Sequence, residues 1–296
     1  MRITGAMQST QLLKNLRYNS SEIMNWQNKL ATGQRIQKPG DDPVGISYLM
    51  RYDSEMNRSE EFLENARTGQ GMLRTMDSLL VQANDVLKRA KVLMQQASSG
   101  TVTGEQRQQI SAEMKQLRDQ LVLVGNSSYK GRFLFNGQKT DQPPYNAATA
   151  ATDKTDPGVY YLNVSPAVTV PVSLTGEQIF GEAGDPKNAF NVLDDVIGHL
   201  ENNDEAMFEG DINDIGTCAD RLSTMWAEIG ARSNRFELIE SRILDSQANL
   251  KELRGQVGDV DMADAITQLK LKESILQAAL STGARISQIS LVDFLR

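Results

Sequence analysis

Apolar residues recur along this chain mostly at helical spacing, and the breaks between the runs are chemically marked. Leu12, Leu16, Ile23, Trp26 and Leu30 fall on a four-three grid once Asn19 is admitted, a coiled-coil stripe on a helix from about Thr10 to Leu30. Thr32-Gly33 ends it, with glycine suited to the left-handed C-cap. After a loop, Asp42 serves as N-cap and Pro43 suits the first turn of a second helix, expected to reach about Ala97. That helix carries two adjacent seams: Met72, Met76, Leu79, Ala83, Val86, Ala90, Leu93 and Ala97, and beside them Leu73, Leu80, Leu87 and Met94. Two seams make a wide apolar face with more than one partner helix. Ser98-Ser99-Gly100 breaks it, and Thr103 with Gln106 forms a capping box ahead of the stripe Ile110, Met114, Leu117, Leu121 and Val124.

The pattern changes in the middle. Six of the eight prolines fall between 143 and 186, Asn136-Gly137 is a turn signal, and 159–164 and 168–172 read as strands. Residues 131–187 are therefore expected to form a small β-rich insert, facing solvent because its loops are polar. A short helix resumes at Ala189–Leu200. Then Ile215, Leu222, Ile229, Phe236, Ile243, Leu250 and Val257 repeat every seven residues, which implies one helix of roughly 70 Å with a left-handed supercoil. Past Gly255 and Gly258, Met262, Ile266, Leu269, Leu276, Leu280 and Gly283 keep a four-three grid with Glu273 intruding, and the chain ends apolar at Ile286, Ile289, Leu291, Val292, Phe294 and Leu295.

The resulting expectation is a mainly α fold: a long antiparallel helical bundle or coiled-coil rod built from the N- and C-terminal parts, with the β-rich insert at its tip. Residues 1–42 and 258–296 would form a terminal coiled-coil domain, 43–130 with 188–257 the helical rod, and 131–187 the insert. Neither terminal helix buries its stripe alone, and short isolated helices are marginal in water. Their charges lean apart. Residues 1–40 hold six bases against one acid, net +5, and residues 259–296 hold four against five, net −1. Antiparallel pairing of the first helix with the last is the simplest closure. It leaves apolar surface uncovered, which marks an interaction site. The assembly interface is expected at Leu12, Leu16, Ile23, Trp26, Leu30, Met262, Ile266, Leu269, Leu276, Leu280, Ile286, Ile289 and Leu295, with the ends largely disordered until other subunits arrive.

Composition removes alternatives. A net charge of −7 offers no electrostatic reason to bind nucleic acid or an anionic membrane. One cysteine, Cys218, and one histidine, His199, allow neither an internal disulfide nor a His/Cys zinc site. Cys218 reads as a buried, inert thiol and His199 as a helix-end residue able to cap carbonyls. Trp26 and Trp226 read as core anchors. Asp259, Asp261 and Asp264 lack the glycine and further ligands of a calcium loop and read as helix-start acids. Asp41-Asp42 and Asp194-Asp195 take loop or cap roles, and Gly69-Gln70-Gly71 marks a close helix contact rather than a phosphate loop. No signal-peptide or transmembrane pattern is present. No catalytic constellation emerges, so no enzyme activity and no cofactor are expected.

Leu30-Ala31-Thr32-Gly33-Gln34-Arg35-Ile36 with Asp41-Asp42-Pro43-Val44-Gly45-Ile46 resembles the N-terminal block of bacterial flagellins and their relatives. Asp261 to Ala265, Leu269 to Leu280 and Ile286 to Leu295 resemble the matching C-terminal block. Met1-Arg2-Ile3-Thr4, the Gly131–Gly137 segment followed by Pro143-Pro144, and the Ile286–Leu295 ending are most similar to the hook-associated protein 3 family, the hook–filament junction proteins. The resemblance implies a structural subunit exported unfolded, without a cleaved signal, and placed outside the cell in the flagellum. It would join a layer between hook-associated protein 1 and flagellin, alongside copies of itself. Before that, a cytoplasmic export chaperone would hold the C-terminal helix, with Leu269, Leu276 and Leu280 as candidate contacts. The alternatives are flagellin itself and a coiled-coil binding module.

Overall fold

Glycine, proline and capping residues cut the chain where the apolar periods change, and the helices follow those cuts. The structure is a computed structural model describing residues 5–294; the side chains of residues 5, 6, 8 and 285–294 lie outside the description. The main helices are α1 (Gly5–Thr32), α2 (Pro43–Ala97), α3 (Gly104–Gly125), α4 (Gly176–Phe180), α5 (Ala189–Asn202), α6 (Phe208–Gly258) and α7 (Met262–Phe294). The strands are β1 (Ser128–Tyr129), β2 (Arg132–Phe133), β3 (Tyr161–Ser165) and β4 (Val168–Pro171), in two antiparallel pairs. The fold is mainly α. It divides into two units, residues 1–58 with 246–296 and residues 59–245, whose limits fall inside α2 and α6.

In the unit spanning 59–245, both seams of α2 enter one core with the α6 heptad. Leu73, Met76, Leu80, Ala83, Ala90 and Met94 are fully buried, as are Ile215 and Phe236, while Leu79 is half-buried. α2 and α6 run antiparallel here: Arg67 Nε reaches Glu240 Oε1 at 2.9 Å, and Trp226 Nε1 donates to Asp77 Oδ1 at 2.5 Å. Gly69 lets them close. A Cβ there would sit 2.6 Å from the Phe236 ring, and the neighbouring Gly71 faces the Tyr129 hydroxyl. The expected close contact at Gly69-Gln70-Gly71 is therefore real. The Thr103–Gln106 capping box forms at the start of α3, the side chain of each accepting from the backbone N–H of the other.

Several expectations need correction. Residues 131–187 do not stand clear of the helices. Their loops are polar, but Leu134, Phe135, Tyr145, Leu162, Val170, Val172, Ile179 and Phe180 join the same core as α2, α3, α5 and α6. Strand structure is confined to β2, β3 and β4, and the rest of the segment is loop and the short α4. The tight hairpin is at Lys130-Gly131, both at positive φ (49° and 79°), between β1 and β2. Asn136-Gly137 makes a separate turn, with Gly137 at φ 56°. Trp226 is no core anchor: it is 36 % exposed, held by Asp77 at the surface. His199 caps no carbonyl with its ring. Its Nδ1 lies 3.0 and 3.1 Å from the two Asp211 oxygens, and the C-cap of α5 is Asn203 in the left-handed conformation. Asp194 sits inside α5 and accepts from Arg118 at 3.0 Å.

Cys218 behaves as read: 2 % exposed, with burial first among the causes that push its thiol up to about 11. Buried Arg107 was not legible in the sequence. Its guanidinium donates to the Ala97 carbonyl at 3.3 Å and to Asn203 Oδ1 at 2.7 Å, and pairs with Glu205 at 2.5 Å, tying the ends of α2 and α5 to the start of α3. A buried guanidinium is tolerated because its donors are met this way.

Candidate assembly site: the terminal helix pair and its joint

The unit of residues 1–58 and 246–296 is organised by α1 lying antiparallel against α7. Lys272 Nζ meets Glu22 Oε2 at 3.4 Å, and Leu12 Cδ2 lies 2.7 Å from where a Cβ on Gly283 would stand. Partner numbers thus fall along α7 as they rise along α1. On α1, Leu12, Leu16, Asn19, Ile23, Trp26 and Leu30 are all half-buried, a single stripe. On α7 the closest seam is rotated from the expected one. Ala265 is fully buried, Gly283 is buried, and Leu269, Lys272, Leu276 and Ala279 are half-buried, while Met262, Ile266 and Leu280 stay exposed. Small residues let two backbones approach, so the larger side chains are displaced to the flanks of the contact. Of the residues expected at the interface, Ile286 and Ile289 (side chains) and Leu295 lie outside the described residues.

Apolar surface left over is concentrated here. Among the described residues, twelve of the 21 exposed large hydrophobic side chains belong to this unit, which is little over a third of the chain. They include Leu13, Tyr18 and Met24 on α1, Val44, Tyr48 and Met50 at the start of α2, and Met262, Ile266, Leu271, Ile275 and Leu280 on α7. Leu271 and Ile275 lie on one flank of the Ala265–Gly283 seam and Met262, Ile266 and Leu280 on the other, so α7 is apolar on both sides of its contact. Scattered exposed apolar residues are ordinary, but a concentration of this kind marks a surface that binds.

The pair ends in a joint where four helix termini meet. Gly33, at φ 70°, closes α1 by donating its N–H to the Lys29 carbonyl at 2.9 Å. The following chain then pairs with the α6–α7 connection. Arg35 N–H donates to the Gly258 carbonyl at 2.7 Å, and Val260 N–H to the Gly33 carbonyl at 2.9 Å. Asp42 Oδ1 accepts from Gly45 N–H at 2.9 Å and caps α2, and Asp261 Oδ1 accepts from Ala263 N–H at 2.9 Å and caps α7. Asp41 Oδ2 takes the Gln37 and Lys38 N–H groups, both at 3.0 Å. These backbone donors hold both Asp41 and Asp42 below the usual carboxylate value. Ile36 is buried against Gly45, and Leu49 packs on Gly258. Asp41, Asp42 and Asp261 thus serve a turn and two helix starts, and Asp264 lies in the first turn of α7, whereas Asp259 directly follows the end of α6 and is no helix-start acid. No group of three or more metal-ligating side chains occurs among the described residues.

Residues 3–140 match the bacterial flagellin N-terminal helical region, and residues 212–295 the bacterial flagellin C-terminal helical region. The chain belongs to the bacterial flagellin family. The two matched regions bracket the middle segment and contain both terminal helices and the joint. A flagellar hook-associated protein 3 from Salmonella typhimurium is 24% identical over 313 residues, covering 98% of each chain. A flagellin from Bacillus subtilis is 24% identical over 302 residues, covering 97% of each. Among solved structures, a putative flagellar hook-associated protein from Vibrio parahaemolyticus superposes with a TM-score of 0.69 at 23% identity, over 74% of this chain and 100% of that one. The Bacillus cereus FlgL structure superposes with a TM-score of 0.60 at 17% identity, over 69% of this chain and 99% of that one. In this flagellin-family chain no helix among the described residues is long and apolar enough to cross a membrane.

Proposed function

We propose that this flagellar structural protein forms the junction layer between hook-associated protein 1 and the flagellin filament. It packs there through its terminal helix pair against copies of itself and against those two neighbours. The observation that carries the reading is the apolar surface left on α1 and α7 after they have paired. The subunit is exported without a cleaved signal, has no catalytic role and takes no cofactor, nucleic acid or membrane as partner. Residues 1–42 with 258–296 line the inner tube. Residues 43–130 with 188–257 form the helical body, and 131–187 belongs to the outer surface of the assembly. Labelled antibody on purified flagella tests this: label at a single position at the filament base is expected. Label along the whole filament would replace the reading with that of a filament subunit, which the similarity to Bacillus subtilis flagellin keeps in play.

Before export, a flagellar export chaperone holds α7 through Leu269, Leu276 and Leu280, of which Leu280 is 53 % exposed even in the α1–α7 pair. Each apolar side chain transferred into a chaperone groove contributes about 1.5–3 kcal/mol. Replacing all three by Ser is therefore expected to weaken binding by at least about 100-fold in calorimetry. Undiminished affinity in the triple variant would place the contact elsewhere.

A further inference from the structure

Arg35 occupies a position in the joint that its exposure does not explain. Its side chain is 48 % exposed, and an exposed ion pair contributes little to stability. Yet its guanidinium makes three hydrogen bonds across the joint. Nε and Nη2 donate to the Val257 carbonyl at 3.2 and 2.9 Å, and Nη2 also donates to Asp42 Oδ2 at 3.1 Å. Val257 lies at the end of α6, where carbonyls lack helical partners, and Asp42 is the N-cap of α2. The Arg35 main chain is bonded to Gly258 in the same place. One residue just past the end of α1 thereby grips the end of α6 and the start of α2 at once. Asp42 serves both bonds, with Oδ1 on the helix cap and Oδ2 on the guanidinium. The planar fork of arginine can span two acceptors in this way and a lysine ammonium cannot.

We infer that Arg35 is a positioning residue for assembly: it sets the direction in which the α1–α7 pair leaves the α2 and α6 ends, and so the geometry in which the exposed faces of α1 and α7 meet a neighbouring copy. The inference rests on the assembly reading above. It separates folding from function, because the bonds are too exposed to stabilise the unit much, while a helix pair pivoting at its base displaces its far end by many ångströms.

The test uses the purified full-length chain added to isolated hooks carrying hook-associated protein 1, with bound protein counted by antibody. Arg35→Ala is expected to bind about tenfold less than the wild type while melting within about 3 °C of it. Arg35→Lys recovers only part of the loss. Asp42→Asn keeps the cap oxygen but loses the charge facing Arg35, and falls between. A second arm replaces the guanidinium by a covalent tie. Gln34 and Asp259 are bridge partners across the joint. Gln34→Cys with Asp259→Cys in the Arg35→Ala chain is expected to restore binding when oxidised and lose it again on reduction. Cys218 is buried and stays out of the exchange. Equal binding by Arg35→Ala and wild type overturns the inference alone. So does a fall in melting temperature large enough to account for the lost binding, or a failure of the oxidised tie to restore it. If the wild type itself fails to bind, the assembly reading falls and the inference with it.

Discussion

Ile229→Asp is expected to unfold the unit of residues 59–245, and thermal melting followed by circular dichroism will register it as a fall of well over about 10 °C. Ile229 is the third member of the seven-residue repeat on α6 and is 1 % exposed among the buried side chains of one continuous core. A carboxylate there must shed its water without a partner in the core, or take up a proton and still bury a polar group. Substitutions of this kind cost more than about 4 kcal/mol, against a total stability of about 5–15 kcal/mol for an ordinary domain. Leu222→Asp, at the preceding repeat and also 1 % exposed, behaves the same way. The control lies on the same helix. Leu238 is 73 % exposed, and Leu238→Asp is expected to change stability by less than about 0.5 kcal/mol. Equal melting temperatures for Ile229→Asp and Leu238→Asp would mean that the α6 repeat does not carry the core.

Removing residues 259–296 is expected to abolish assembly while sparing that same core. The deletion takes all of α7 and leaves α1 with its half-buried stripe uncovered, so α1 frays in water. The continuous core, however, is drawn from residues between Leu63 and Ile243. Circular dichroism should therefore lose the signal of the terminal helices and keep that of α3, α5 and most of α2 and α6. The melting transition of the 59–245 unit should move by only a few degrees. Binding to hooks should drop below detection. A truncated chain that still joined the flagellum, or that lost most of its helix, would contradict the division of labour between the two units.

The elements of this fold were legible in the sequence wherever the governing rule is local. The start of α2 at Pro43, its end at Ala97, the capping box at Thr103 and the glycine closure at Gly33 all depend on residues within one or two turns. The α6 repeat announced itself through five side chains, Ile215 to Ile243, that are all buried, and through Leu250 and Val257, which are half-buried. The Lys130-Gly131 hairpin escaped because its strands are two residues each, too short for any alternation, and lysine is not a turn-forming signal. Trp226 and His199 were misread for a related reason. Their types suggest a burial or a cap, and only the neighbouring chain shows that Asp77 and Asp211 take their ring nitrogens.

At the terminal pair the division is sharpest. The α1 stripe could be read by spacing, because every large apolar residue on the grid faces the same way. On α7 spacing also selected Leu269, Leu276 and Gly283, which lie in the covered seam, but it took Met262, Ile266 and Leu280, which are exposed, where Ala265, Lys272 and Ala279 complete that seam.

Periodicity and end-capping thus established the number, type and limits of the long helices, and the motifs at both ends established the family, since each depends on residues near one another along the chain. The facing of α7, the grip of Arg35 on α6 and α2, the burial of Arg107, and the entry of Phe135 and Phe180 into the helical core were decided only when distant segments met. Close approach of two backbones depends on the shapes of both surfaces, and a guanidinium finds its acceptors only where separate helix ends converge.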